Sequence, residues 1–249
     1  MSWRRWLRPS TGRLEDRALR ARKADKIARA LTEECGDLSA LNCVDIGCSS
    51  GLITVELAKR FRQTLGVEPD LSALHARPLE ACAGFCCANG QALPVRDASV
   101  DIVVLSQVYE HAEDASALFD EVWRVLRPGG ACFLSGPNAL FPIEMHTGLP
   151  FLHWLPHTWG VDIARRLGRG RYDARPRTRR GLRRLVKGFV VRDYTPRMIR
   201  DAAEFHCEEE LEGLSWLASG PRWLLNALMP LVPNVNWVLI KPDGGRRHG

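Results

Sequence analysis

Val44-Asp45-Ile46-Gly47-Cys48-Ser49-Ser50-Gly51 decides how this chain of 249 residues is read. Leu41, Val44 and Ile46 form a short apolar run. After the glycines, Leu52, Val55, Leu57 and Ala58 recur at the spacing of a helix's buried side. The order is therefore strand, glycine-punctuated turn, helix. Where such a strand ends, the first N–H groups of the helix lack partners, and a nucleotide-like ligand can meet main chain there. A dinucleotide turn has glycine at its first, third and sixth positions. Those positions hold Gly47, Ser49 and Leu52 here, so the turn departs from the dinucleotide pattern.

Further signals follow in order. Leu65-Gly66-Val67-Glu68-Pro69-Asp70 reads as a second strand ending in a carboxylate. Glu68 stands about twenty residues past the first glycine, the distance at which such folds place a ribose-binding acid. Asn89-Gly90-Gln91-Ala92-Leu93-Pro94 reads as a loop and Ser99-Val100-Asp101-Ile102-Val103-Val104 as a fourth strand, continuing through Leu105-Ser106-Gln107-Val108-Tyr109-Glu110-His111. Asp114 is placed to cap a helix whose Leu118, Val122, Val125 and Leu126 share one side. Arg127-Pro128-Gly129-Gly130 ends that helix, because proline cannot extend it and glycine lets the chain reverse. Ala131-Cys132-Phe133-Leu134-Ser135 then makes a fifth strand.

Together, residues 40–138 resemble the class I S-adenosylmethionine-dependent methyltransferases, in particular the group of quinone and small-metabolite enzymes. Gly47 and Gly51 after Asp45, and Arg124-Val125-Leu126-Arg127-Pro128-Gly129-Gly130, are the most family-specific strings. The resemblance implies an α/β fold: a doubly wound, seven-stranded, mostly parallel Rossmann-like sheet with a lid inserted after strand five. One domain over 1–249 is expected, with a basic helical segment at 1–38, a cofactor-binding core at 39–137, a substrate lid at 138–193 and closing helix and strands at 194–249. Tyr194-Thr195-Pro196 is expected to open a helix through Ala203, Cys207–Leu214 to form strand six, and Asn236-Trp237-Val238-Leu239-Ile240-Lys241-Pro242 to form a final antiparallel strand. S-adenosyl-L-methionine is the implied cofactor. Its expected contacts are Asp45, Gly47, Cys48, Ser49, Gly51, Glu68, Pro69, Asn89, Gly90, Ser106 and Gln107. Ser49 replaces the family's usual middle glycine, and Asn89 stands where Asp is common.

That cofactor carries the reactive methyl itself, so the protein's task is to orient an electron-rich atom and, for a hydroxyl acceptor, to remove its proton. His111, just past strand four, is the leading candidate base, since imidazole titrates near working pH. Glu144, His146 and His153 are alternatives from the lid. Some relatives hold a divalent ion with Glu, Glu and His at the spacing occupied here by Gln107, Glu110 and His111. An amide in the first place brings no charge, so no metal is expected.

Formal net charge is +6, unevenly placed: 165–200 holds fourteen Lys or Arg against Asp173 and Asp193. Arg17, Arg20, Arg22, Lys23 and Lys26 form a second basic stretch, on a helix whose Ala24, Ile27, Ala28 and Leu31 face inward. Such charge serves a solvated surface, an anionic acceptor or lipid headgroup, or nucleic acid. Ser106-Gln107-Val108-Tyr109 lacks the Asn/Asp-Pro-Pro-aromatic signature of base-amine methylases, which argues against nucleic acid. Eight cysteines show no two-residue spacing and read as reduced thiols. No bilayer-spanning run appears, and Trp3-Arg4-Arg5-Trp6-Leu7-Arg8 lacks a signal peptide's apolar core. The expected place is the cytoplasm, with peripheral contact at the inner membrane surface left open. A small or lipid-linked acceptor methylated at oxygen is the leading expectation. Methylation at carbon of a quinone or aromatic ring, and a non-catalytic cofactor-binding scaffold, stand as alternatives. Oligomeric state is not legible.

Overall fold

A computed structural model describes residues 17–75, 83–170, 172–211 and 215–244. Its strands are β1 (Asn42–Ile46), β2 (Gln63–Glu68), β3 (Gly84–Cys87), β4 (Val100–Ser106), β5 (Leu126–Pro137), β6 (Val190–Asp193) and β7 (Asn234–Ile240). They form one sheet in the order β3-β2-β1-β4-β5-β7-β6. β1 to β5 pair in parallel, while β7 runs antiparallel to both β5 and β6. The chain leaves β1 toward β2 and β3, then returns to lay β4 on the other side of β1. Such a reversal opens a crevice at the carboxyl ends of the two central strands.

Alternation along the strands feeds two cores. Val103 and Leu105 of β4, with Trp237 and Leu239 of β7, pack with α4 (Ala115–Val125) and α6 (Arg179–Leu185). Ile102, Val104 and Val238 face α1 (Arg17–Cys35), α2 (Leu52–Ala58) and α7 (Thr195–Arg200). A central strand buried on both faces needs apolar residues at every position, which is why Ile102–Leu105 reads as a continuous run. Each such side chain contributes about 1.5–3 kcal/mol by leaving water. The remaining helices are short: α3 (Leu71–His75), α5 (His157–Arg166), α8 (Glu208–Leu211), α9 (Ser215–Ala218) and α10 (Arg222–Leu228).

Several local expectations hold. The Asp114 side chain accepts from the N–H groups of Ser116 at 2.7 Å and Ala117 at 3.2 Å, capping α4. At the other end of α4, Lys241 Nζ donates to the carbonyls of Trp123 at 2.7 Å and Leu126 at 2.6 Å. Ala24, Ile27, Ala28 and Leu31 are buried under the sheet, and so is Lys26.

Strand six is a correction. Cys207–Leu214 is not a strand: Glu208–Leu211 forms one helical turn, and 212–214 lie outside the described residues. A run of straight-chain glutamates favours helix. The sheet's sixth strand is Val190–Asp193, a half-exposed edge inside the basic tract. The helix opened by Thr195 stops at Arg200 rather than Ala203. Because Leu182, Val186 and Phe189 join the main core, α6 and β6 belong to the sheet layers, and only 138–178 remains free of them. Two of the arginines there are structural. Arg179 pairs with Asp193, and the Arg179 and Arg183 guanidinium groups lie 5.5 and 5.2 Å from the Trp237 ring centre. The expectations for Trp3–Arg8 and Cys82 fall outside the described residues.

Candidate functional site

At the reversal point a cleft of about 540 Å³ opens beside β1 and β4, within the range of small-molecule sites, about 300–1,000 Å³. Gly47, Ser49, Glu68, Pro69, Asn89, Gly90, Gln107 and His111 line it, as the sequence suggested. Ile46, Gln91, Val108, Ala112, Glu113 and Leu118 line it too. These were missed because their sequence signal is that of core or turn.

The glycine loop is pinned by main chain. Val67 O accepts from Gly47 N–H at 2.7 Å and Cys48 N–H at 3.1 Å, and Gly51 N–H donates to Cys48 O at 2.9 Å. Gly47 and Gly51 have φ of +70° and +71°, and a Cβ on them would meet Val108 Cγ2 at 2.6 Å and the Phe85 ring at 2.5 Å. Only glycine meets both demands. Ser49, in the family's middle-glycine place, also sits at positive φ, 50°, a conformation costing an L-residue about 1–2 kcal/mol. Its N–H donates to Glu68 Oε2 at 2.9 Å, while Glu68 Oε1 accepts from Asp70 N–H at 3.0 Å. Glu68 thus fixes the loop and still presents its remaining lone pairs to the cleft. Asn89 Oδ1 accepts from Gln91 N–H at 2.9 Å and shapes the turn across from it.

Four expected cofactor contacts do not reach the cleft wall. Asp45 is buried behind the loop, where its Oδ2 accepts from Thr54 Oγ1 at 2.7 Å. Burial raises its pKa to about 7, against the opposing effects of the Thr54 hydrogen bond and Arg20. Cys48 is buried, its thiol pushed up by burial and by Asp45 and Glu68. Gly51 is sealed by Phe85, and Ser106 ends β4 without lining the cleft.

At the cleft's edge, the loop after β4 meets the 138–178 segment. Glu110 is fully buried, and neither carboxyl oxygen has a hydrogen-bond partner. Its Oε1 lies 3.7 Å from His146 Nε2 and 4.0 Å from His111 Nε2. The two imidazoles meet edge to face at 4.8 Å. Burial works against a charge on His146, but Glu110, with Glu144 and Asp173, holds its pKa above the ordinary imidazole value. The ligand atoms of Glu110, His111 and His146 fall within 4.8 Å of one another, a spacing one ion could bridge. The expectation of no metal therefore rests on Gln107 alone.

Glu144 drops out as a base. Its Oε2 accepts from Thr147 N–H at 2.6 Å and Thr147 Oγ1 at 2.7 Å, and both its oxygens lie 3.1 Å from His146 N, so the carboxylate closes its own loop. His153 is likewise structural, its Nε2 at 3.0 Å from Ala139 O.

Residues 44–134 match a family model described as a methyltransferase domain. An uncharacterized methyltransferase of Mycobacterium sp. (strain JLS) is 36% identical over 120 residues, 48% of this chain and 47% of that protein. A ubiquinone biosynthesis O-methyltransferase of Nitrobacter winogradskyi is 31% identical over 149 residues, 55% of each. The matches therefore span about half the length of these curated relatives. Among solved structures, an S-adenosylmethionine-dependent methyltransferase from Mesorhizobium loti superposes with a TM-score of 0.57 at 17% identity, covering 86% of this chain and 97% of that one.

Proposed function

We propose that the chain is a class I S-adenosylmethionine-dependent methyltransferase, a reading supported by the methyltransferase-domain match over residues 44–134, and that it methylates the oxygen of a small or lipid-linked, hydroxyl-bearing acceptor. The cleft walls suit the cofactor. A pinned glycine loop lets main chain approach closely, Glu68 faces the place of the ribose hydroxyls, and Asn89, Gly90 and Gln91 close the far side. When bound, S-adenosylmethionine would supply a methyl on a cationic sulfur that keeps the carbon–sulfur bonding pair and becomes a neutral thioether. The chain's part is to hold the acceptor beside the cleft, keep water from it and take the hydroxyl proton.

His111 carries the oxygen reading: it is the imidazole on the cleft wall, placed to receive that proton. The Nitrobacter relative, named as an O-methyltransferase, supports the same choice. A lipid-linked acceptor is favoured by the 138–178 segment, which brings His146 and Asp173 to the cleft's edge and exposes Phe151, Trp154, Leu155 and Trp159. Exposed aromatics near arginines suit an interface with anionic lipid. Among the described residues no helix is long and apolar enough to cross a membrane, and the contact proposed is a peripheral one.

Two steps test this. Calorimetry with S-adenosylmethionine should show binding, and its absence favours a scaffold role. Labelled-methyl transfer to a catechol, offered free and on a polyprenyl chain in anionic vesicles, should give an oxygen-bound methyl by mass spectrometry. Methyl found on ring carbon overturns the oxygen assignment. Trp154→Ala with Trp159→Ala should lower turnover of the vesicle-borne catechol and spare that of the free one.

A further inference from the structure

We infer that Asp173, brought by the 138–178 segment, is the positioning residue that sets His111's tautomer and aims its Nε2 as the proton acceptor, an inference resting on His111 as the base. Asp173 Oδ1 lies 2.8 Å from His111 Nδ1. Sequence places the two residues 62 positions apart, and nothing in their spacing pairs them.

Main-chain bonds place this contact. The Arg175 N–H donates to Glu110 O at 2.7 Å, the Arg177 N–H donates to the Tyr109 hydroxyl at 3.3 Å, and the Ala139 N–H donates to Arg177 O at 3.1 Å. Tyr109 is itself buried and donates to Pro137 O. Residues 175–177 are thereby stitched across 109–110, and Asp173, two residues earlier, arrives at His111. From the other side, His111 N–H donates to Val108 O at 3.0 Å, fixing the ring's own turn.

A carboxylate at Nδ1 requires the proton on Nδ1, which leaves the Nε2 lone pair unprotonated. Nε2 is the nitrogen turned toward Glu110, at 4.0 Å. In the transfer, the acceptor's O–H bond would break, its proton moving to Nε2, and the oxygen's electron pair would bond the methyl carbon as the carbon–sulfur bond breaks and its pair stays on sulfur. The imidazolium then lies between Asp173 and the buried Glu110 carboxyl, and returns its proton to solvent when product leaves. His111 is partly exposed and Asp173 about half exposed. An acceptor covering the pair would exclude water from it and strengthen the bond.

The experiment is nitrogen-15 correlation spectroscopy of the imidazoles in the full chain saturated with S-adenosylhomocysteine, with His111 assigned by the signals lost in His111→Gln. Wild type should show His111 protonated on Nδ1. In Asp173→Ala the proton should move mainly to Nε2, and Asp173→Glu should restore the original pattern at least in part. With a catechol as probe acceptor, Asp173→Ala should lower kcat by about tenfold to a hundredfold, with cofactor affinity within about twofold of wild type. An unchanged His111 tautomer in Asp173→Ala overturns the inference, as does loss of cofactor binding in place of turnover. If the tautomer moves while both Asp173→Ala and His111→Gln turn over normally, Asp173 does set the tautomer and it is the choice of base that fails.

Discussion

Removing the Glu68 carboxylate separates two jobs that the structure gives to one side chain. Its Oε2 takes the Ser49 N–H at 2.9 Å and its Oε1 the Asp70 N–H at 3.0 Å, so the group holds the glycine loop through its own hydrogen bonds. The same carboxylate lines the cleft where two ribose hydroxyls would donate to it. Hydrogen bonds to a charged group are worth about 1.5–3 kcal/mol net. Counting one such bond net, because the cleft is partly wet, loss of the ribose contact in Glu68→Ala should weaken cofactor binding by about ten- to 150-fold at 1.4 kcal/mol per decade. Loss of the loop contacts should lower unfolding free energy by about 1–2 kcal/mol, below the simple pair value because both sites are partly wet. Glu68→Gln sharpens the test. Its amide oxygen can still accept from Ser49, but its NH2 faces the Asp70 N–H, so affinity and stability should both fall between wild type and alanine. Calorimetry with S-adenosylhomocysteine gives the first quantity and urea denaturation the second. A Glu68→Ala variant that loses stability yet binds within about twofold of wild type would show an anchor only, and the ribose assignment would be withdrawn.

Two further outcomes follow from the loop. Asp45 titrates at about 7 in the fold against 3.8 when unperturbed, and 1.36 kcal/mol per pH unit makes that difference about 4 kcal/mol. Since the folded value is the higher one, this contribution is full below pH 3.8 and is lost as pH rises through about 7. Denaturation curves from pH 4 to 8 should show that decline, and Asp45→Asn should flatten it; parallel profiles for the two proteins would contradict the burial argument. Gly51→Ala forces a Cβ to 2.5 Å from the Phe85 ring at φ +71° and should cost at least about 2 kcal/mol from the left-handed backbone and the clash together. A melting temperature within about 1 °C of wild type would mean that Phe85 moves freely and does not set the loop.

The parts of the fold that a sequence announces are those where one short segment satisfies a local physical demand. Ile102–Leu105 had to be apolar throughout because both faces of β4 are covered, Asp114 had to offer oxygen to two free N–H groups, and Gly47 and Gly51 had to reach positive φ. β6 was hidden because an edge strand needs no buried face: Arg192 and Asp193 stand in it, and the basic tract around it reads as surface. Lys26 was equally opaque, since its charge points to solvent while the fold buries it.

The site divides along the same line. Its cofactor side is built from three consecutive strand ends, so Gly47, Glu68 and Asn89 could be named from spacing. Its acceptor side depends on the 138–178 segment, which has no period of its own and is located by its N–H groups donating to Glu110 O and the Tyr109 hydroxyl. Glu144 and His146 looked alike as candidates, both ionisable and two residues apart in the same segment. Geometry distinguishes them, because Glu144 spends its oxygens on its own loop, while His146 Nε2 stops 3.7 Å from a buried carboxyl that has no partner. A buried acid without a donor carries a desolvation cost of about 1–3 kcal/mol or more, so the fold retains at Glu110 a demand that an acceptor's hydroxyl or a cation would meet. That demand, absent from any reading of the residues in order, lies 4.0 Å from His111 Nε2 and is the ground for proposing His111 as the base in preference to a lid residue.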